Sequence, residues 1–206
     1  MKKFTFALML AAVALFAASP LFAEGMMFGV KGGLNMATAT GDDAEGLSSK
    51  MGIVGGAFMC YNITEIFAIQ PELLYSMKGA KDEADETISF NYFEIPLLFK
   101  VNFPTEGKIK PSLYAGPTLG ILMTAEDTTG EDIKDYVKTM DIGILAGAGV
   151  GYQMEKGLLF LEARYEIGMT GIMDFTDDEL DAMEMDAQPD VKNSVISIMV
   201  GYGFAF

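Results

Sequence analysis

Histidine is absent from this 206-residue chain, and cysteine occurs once, at Cys60. Without histidine there is no imidazole base and no imidazole metal ligand, which removes a large class of catalytic and metal-binding sites. One thiol cannot close an intramolecular disulfide. Cys60 also lies too far along the chain to be a lipoprotein anchor, and it reads as a small buried apolar residue. Basic residues are scarce: 14 Lys and Arg stand against 29 Asp and Glu, a formal charge of −15. Such a chain repels nucleic-acid phosphates, so no nucleic acid is expected as a partner. Half the residues are apolar, yet beyond the N-terminus they form no long uninterrupted run. A membrane-crossing helix needs about 20 consecutive apolar residues, so helical spans are not expected there.

The N-terminus is different. Met1-Lys2-Lys3 is a short positive head, Phe4 to Ala18 is apolar, Ser19-Pro20 breaks the helix, and Leu21-Phe22-Ala23 precedes Glu24. This pattern is that of a secretory signal peptide over residues 1–23, removed after Ala23. An uncleaved anchor is the competing reading, although the apolar core is short for a span. Residues 24–206 then form one domain delivered outside the cytoplasm.

That domain reads as eight strands of period two. In Tyr92 to Phe103, Phe93, Ile95, Leu97, Phe99, Val101 and Phe103 share one face, while Tyr92, Glu94, Leu98, Lys100 and Asn102 share the other. Phe67 to Met77, Leu159 to Met169 and Ile196 to Phe206 alternate as clearly. Met27 to Met36, Met51 to Tyr61, Lys110 to Thr124 and Lys138 to Gln153 complete the set. Pro71, Pro96 and Pro117 fall inside predicted strands and should each mark a bulge or a local break in pairing. Gly147, Gly149 and Gly151 alternate on one strand face with no helix after them. They read as space for neighbouring interior side chains, not as a nucleotide loop.

Period two fits both a soluble lipocalin-like barrel, apolar inside, and a membrane barrel, apolar outside. Three features favour the membrane. The non-apolar face is mostly Gly, Ser, Ala and Asn with a minority of charges, as a narrow bore requires. Connections alternate in length: the long ones are 37–50, 79–87, 124–138 and 170–192, and the short ones lie near 62–65, 104–108 and 154–157. The long loops carry 20 of the 29 acidic residues and five lysines, whereas the short turns are balanced in charge. Tyr61, Phe103, Tyr152, Phe204 and Phe206 gather toward the short-turn end, as an aromatic girdle does. An even strand number places both termini at that end, which makes it the periplasmic one.

Several segments resemble a known family: Gly29–Asn35 (GVKGGLN), Gln70–Lys81 (QPELLYSMKGAK), Tyr92–Lys100 (YFEIPLLFK), Tyr114–Met123 (YAGPTLGILM) and Leu161–Thr170 (LEARYEIGMT). In this order they are similar to the outer-membrane-protein β-barrel domain, often called the porin family, over nearly all of the mature chain. The resemblance implies an all-β, eight-stranded antiparallel transmembrane β-barrel in the outer membrane of a cell with two membranes. It also implies insertion by the barrel-assembly machinery, with Tyr202, Phe204 and Phe206 resembling the terminal signal which that machinery reads. It does not imply an open pore.

The candidate site is the inward polar set: Lys31, Glu72, Lys78, Glu94, Lys100, Glu162, Arg164 and Glu166, with Asp141 on the same face. Ionised groups inside a barrel must pair or meet water. They form either a polar conduit or, the preferred reading, a plug of paired charges in which Arg164 meets Glu72, Glu94 or Glu162. The last long loop holds eight acidic residues between Asp174 and Asp190, without an EF-hand pattern, and reads as a solvated acidic loop. Within it, Thr176 and Glu179 are spaced as a capping box for a short helix. No catalytic set, metal site or cofactor is expected. The function read from this is a structural or interaction barrel that presents acidic loops at the cell surface. The alternative is a narrow porin passing small solutes or cations. Outer-membrane lipid and an unknown surface partner or small solute are the expected companions.

Overall fold

The computed structural model describes residues 25–44, 46–81, 86–182, 185 and 187–205. The expected signal peptide and Phe206 lie outside the described residues. Eight strands form one closed barrel in which each pairs antiparallel with its sequence neighbours and β8 returns to β1. They are β1 (Met26–Thr40), β2 (Ser48–Asn62), β3 (Phe67–Lys81), β4 (Thr87–Asn102), β5 (Ile109–Glu126), β6 (Met140–Met154), β7 (Gly157–Gly168) and β8 (Lys192–Ala205). One short helix, α1 (Asp177–Ala182), and a 3-10 turn at Lys134–Tyr136 lie in the two longest loops. No described helix is long and apolar enough to cross a membrane.

The alternation sorts side chains as a lipid-facing barrel demands. Val30, Leu34, Ile53, Leu73, Leu113, Ile142, Leu161 and Ile198 are exposed on the outer wall, while Lys31, Asn35, Glu72, Glu94, Arg164 and Ser197 are buried inside. A soluble barrel would show the opposite sorting. Closure satisfies the backbone groups that lipid cannot. Of the expected girdle, Phe103, Tyr152 and Phe204 are exposed near the short-turn end and Tyr61 is half-buried.

The strands are longer than the apolar pattern indicated. Ala37–Thr40, Ser48–Lys50 and Gly79–Lys81, read as loop, remain paired in β1, β2 and β3. Their composition is small and polar because they continue the ladder past the apolar belt. At 12 to 18 residues, the strands exceed the 9–11 that suffice for a crossing. Each proline sits at a local break. Pairing between β2 and β3 lapses beside Pro71, between β3 and β4 beside Pro96, and between β4 and β5 beside Pro117, with register preserved across each gap. The bulges lie elsewhere, between Ser49 and Val54 and between Asn91 and Tyr92.

The bore is filled in layers. Toward the short turns, Phe58, Cys60, Ala68 and Phe160 pack with Met27, and the Phe58 and Phe160 rings meet edge to face at 5.4 Å. Leu98, Tyr114 and Leu145 form a neighbouring cluster. Toward the long loops, Phe90, Tyr92, Leu122 and Ala125 of the wall pack against Val137, Ile172 and Val191. Those last three come from the connections on either side of β6–β7, which fold back over the mouth. Lys138 N donates to Ile172 O (2.9 Å), Ile172 N to Val191 O (2.8 Å) and Asp174 N to Tyr136 O (2.9 Å). The interior glycines make room for large neighbours. A Cβ on Gly147 would lie 2.7 Å from the Tyr114 ring, and one on Gly201 would lie 2.4 Å from the Phe160 ring.

The charged interior as candidate functional site

Between the two apolar layers lies a charged network whose members come from β1, β3, β4, β6 and β7. Lys31 Nζ stands 2.6 Å from both Glu72 Oε1 and Glu162 Oε1. Arg164 reaches Glu72 Oε2 at 3.2 Å and Glu94 Oε2 at 3.7 Å. Lys78 Nζ lies 2.6 Å from Glu94 Oε1, 2.6 Å from Glu166 Oε1 and 3.8 Å from Asp141 Oδ2. All eight groups are at least nine-tenths buried. At that depth an unpaired charge costs several kcal/mol, so mutual pairing is what lets these side chains point inward.

Period two delivers this arrangement. Glu162, Arg164 and Glu166 alternate along β7 and all face the bore, as do Glu72 and Lys78 on β3 with Ser76 between them. Uncharged groups complete the coordination. Gln70 Nε2 donates to Glu72 Oε1 (2.7 Å). Asn35 donates to Ser76 Oγ (2.9 Å) and accepts from Ser197 Oγ (2.8 Å). Asp141 accepts from Asn193 Nδ2 (2.8 Å) and Thr170 Oγ1 (3.1 Å). Lys78 also lies over the Tyr92 ring, 5.2 Å from its centroid, a cation–π contact.

Of the eight residues in the candidate set, seven meet in this network, and Asp141 joins them. Arg164 contacts Glu72 and Glu94, whereas Glu162 is taken by Lys31. Lys100 stands apart: it is half-exposed near the short-turn end and lies 3.5 Å from Gln70 Oε1. Asp141 belongs to the Lys78 group. Asn35, Gln70, Ser76, Asn193 and Ser197 carried no signal beyond their inward parity. Tyr202 and Phe204 lie on β8, with rings 4.8 Å apart edge to face.

Among the described residues a few buried polar atoms have no hydrogen-bond partner: Tyr114 Oη, Thr118 Oγ1, Arg164 Nε and Asn91 Oδ1. Among the described residues no three carboxylates or thiols converge on a metal position.

The acidic loops are locally ordered. Glu179 Oε2 accepts from Thr176 N (2.7 Å) and Thr176 Oγ1 (2.8 Å), while Glu179 N reaches Thr176 Oγ1 (3.4 Å). This capping box starts α1 and holds the Glu179 carboxyl below the usual carboxylate range. Asp127 Oδ1 accepts from the Thr129 hydroxyl and from the amides of Thr129 and Glu131. The Thr129 hydroxyl contributes most to holding that carboxyl low as well.

Comparisons with known proteins agree with this architecture. Neisserial surface protein A shares 18% identity over 87% of this chain and 97% of that one, with a TM-score of 0.54. OprG of Pseudomonas aeruginosa shares 13% over 87% and 95%, TM-score 0.47. Ail of Yersinia pestis, solved with the heparin analogue sucrose octasulfate, shares 12% over 87% and 99%, TM-score 0.46. At 18% identity the likeness to Neisserial surface protein A is one of fold. No curated protein sequence matches the chain. The family profile described as outer membrane protein beta-barrel domain matches residues 18–174, from before β1 to beyond β7. With the closed eight-stranded wall, its apolar exterior and its paired polar core, this chain belongs to the outer-membrane-protein β-barrel domain family.

Proposed function

We propose that this outer-membrane barrel is closed and non-enzymatic, with a structural or interaction role, and that it presents its acidic loops at the cell surface. The observation that carries this reading is the filled bore. A charged network lies between an apolar layer near the short turns and a second one that the long loops complete across the mouth. Solute would have to displace both layers and separate paired charges in low dielectric. The short-turn end, with both termini, faces the periplasm in this reading, after export by a signal peptide and insertion by the barrel-assembly machinery.

The alternative, a narrow porin for small solutes or cations, has one observation in its favour. Tyr114, Thr118 and Arg164 keep unpartnered polar atoms inside the barrel, as a wetted path would. Planar-bilayer conductance of the purified protein separates the two. The closed reading expects no reproducible current steps. Steady steps with cation preference would replace it with the porin reading.

A further inference from the structure

Among the described residues, the large apolar side chains that are exposed belong almost entirely to the lipid-facing wall or to its short-turn rim. Tyr136 is the exception. It is 41% exposed and lies in the 3-10 turn of the loop between β5 and β6. Its ring sits 5.9 Å from that of Phe175, which belongs to the loop between β7 and β8. The pair is held from below. Asp174 N donates to Tyr136 O, Val137 and Met173 form a β-bridge, and Val137 is buried in the apolar layer that closes the mouth. Gln188 clamps Phe175 by accepting from its amide and donating to its carbonyl. Two aromatic rings are thus presented on the cap, in the connections past the loop-side ends of β5 and β7.

Their immediate neighbours are Asp135 and Asp174, both exposed. No cation among the described residues lies within ion-pair distance of either. Aromatic faces attract cations through their quadrupole, and carboxylates at their rim add charge complementarity. An aromatic pair of this kind, fixed and half out of water, is the type of anchor from which interface hot spots are built.

We propose that the Tyr136–Phe175 pair, with Asp135 and Asp174 at its rim, is a docking surface for a Lys- and Arg-rich polypeptide segment. The inference rests on the reading that the long loops face the cell exterior. The partner's cationic side chains lie over the two rings while its backbone runs between the rim carboxylates. Anionic polymers are excluded by the same charges that exclude nucleic acid.

The test uses the intact barrel in detergent micelles and a fluorescent oligo-arginine peptide, with an oligo-glutamate peptide of equal length as control. Binding is expected for the first and not for the second, weakening as salt rises. Tyr136→Ala with Phe175→Ala is expected to weaken it about tenfold with no change in net charge. Asp135→Asn with Asp174→Asn is expected to weaken it and flatten the salt dependence. All variants should keep the mobility shift between unheated and boiled samples, which reports the folded barrel. No binding at low salt would overturn the proposal. So would an aromatic double variant that binds like the parent, since attraction would then be spread over all the acidic loops. Conductance reports on the closed barrel independently, so either reading can fail without the other.

Discussion

The two ends of the charged network are built differently. Toward the short turns, Lys31 and Arg164 face Glu72 and Glu162, two cations for two carboxylates. Toward the loops, Lys78 serves Glu94, Glu166 and Asp141, with Arg164 reaching Glu94 from farther away. The first group is balanced and hydrogen-bonded, with Gln70 on Glu72. The second is short of cations: Glu94 and Glu166 share the single Lys78 ammonium, 2.6 Å from each. Pairing therefore locks the half of the bore nearer the short turns. The half nearer the loops depends on one ammonium group and on the apolar cap above it.

The largest expected effect tests that dependence directly. Lys78→Met removes the one cation close to three carboxylates and should cost at least the roughly 3–5 kcal/mol of a broken buried pair. The denaturation midpoint, read from the fraction that keeps the unheated gel mobility, should fall far. An unchanged midpoint would mean that water already enters the cluster, and the filled-bore reading would go with it. Arg164→Met should come next, with a loss of similar order, because it leaves Glu72 and Glu94 short of a partner.

A smaller pair of changes sharpens the contrast between the ends. Glu72→Gln breaks two ion pairs in the balanced group and should destabilise by about 1–3 kcal/mol. Glu166→Gln relieves a group with too many carboxylates and should be close to neutral or stabilising. Equal losses from both substitutions would erase the distinction between the two ends. Gly147→Val tests the packing beneath: its side chain would meet the Tyr114 ring and Ala163 O, for a loss of about 1–3 kcal/mol.

These contrasts were only partly visible in the chain. Parity places Glu162, Arg164 and Glu166 on one face, and the loop lengths place the mouths, because both depend on near neighbours. The choice of partner does not. Lys31 and Glu162 are 131 residues apart, and which inward groups meet depends on strand stagger and tilt, which no local pattern encodes. Lys100 shares the parity of Glu94 yet stands near the end of the bore, too far along β4 to join the network. The upper strand segments were hidden for a related reason. Ala37–Thr40 and Gly79–Lys81 look like turn because no lipid requires them to be apolar. The cap was hidden as well: Val137, Ile172 and Val191 are scattered apolar residues of acidic loops without strand or helix periodicity, and their burial exists only once two loops meet.

The smallest expected effect lies on that cap and separates it from the wall. Asp127 and Glu179 are half-buried in the loops, and both carboxyls are held below their usual range, by Thr129 and by Thr176 respectively. A carboxyl with a depressed folded value contributes stability that is fully present above its unfolded value and is lost as pH falls through the folded one. Acidification should therefore loosen the Asp127 turn and the start of α1 while the barrel stays intact. Amide resonances of Thr129, Glu131 and Glu179 in micelles should follow these carboxyls, titrating below the ordinary carboxylate range. Thr176→Val removes the hydroxyl but keeps the Thr176 amide, which contributes most to the shift, so it should raise Glu179 only part of the way and leave Asp127 where it is, because the two lie in different loops with separate donors. Joint movement of the two would show the loops acting as one cooperative unit, and the cap would then open as a whole.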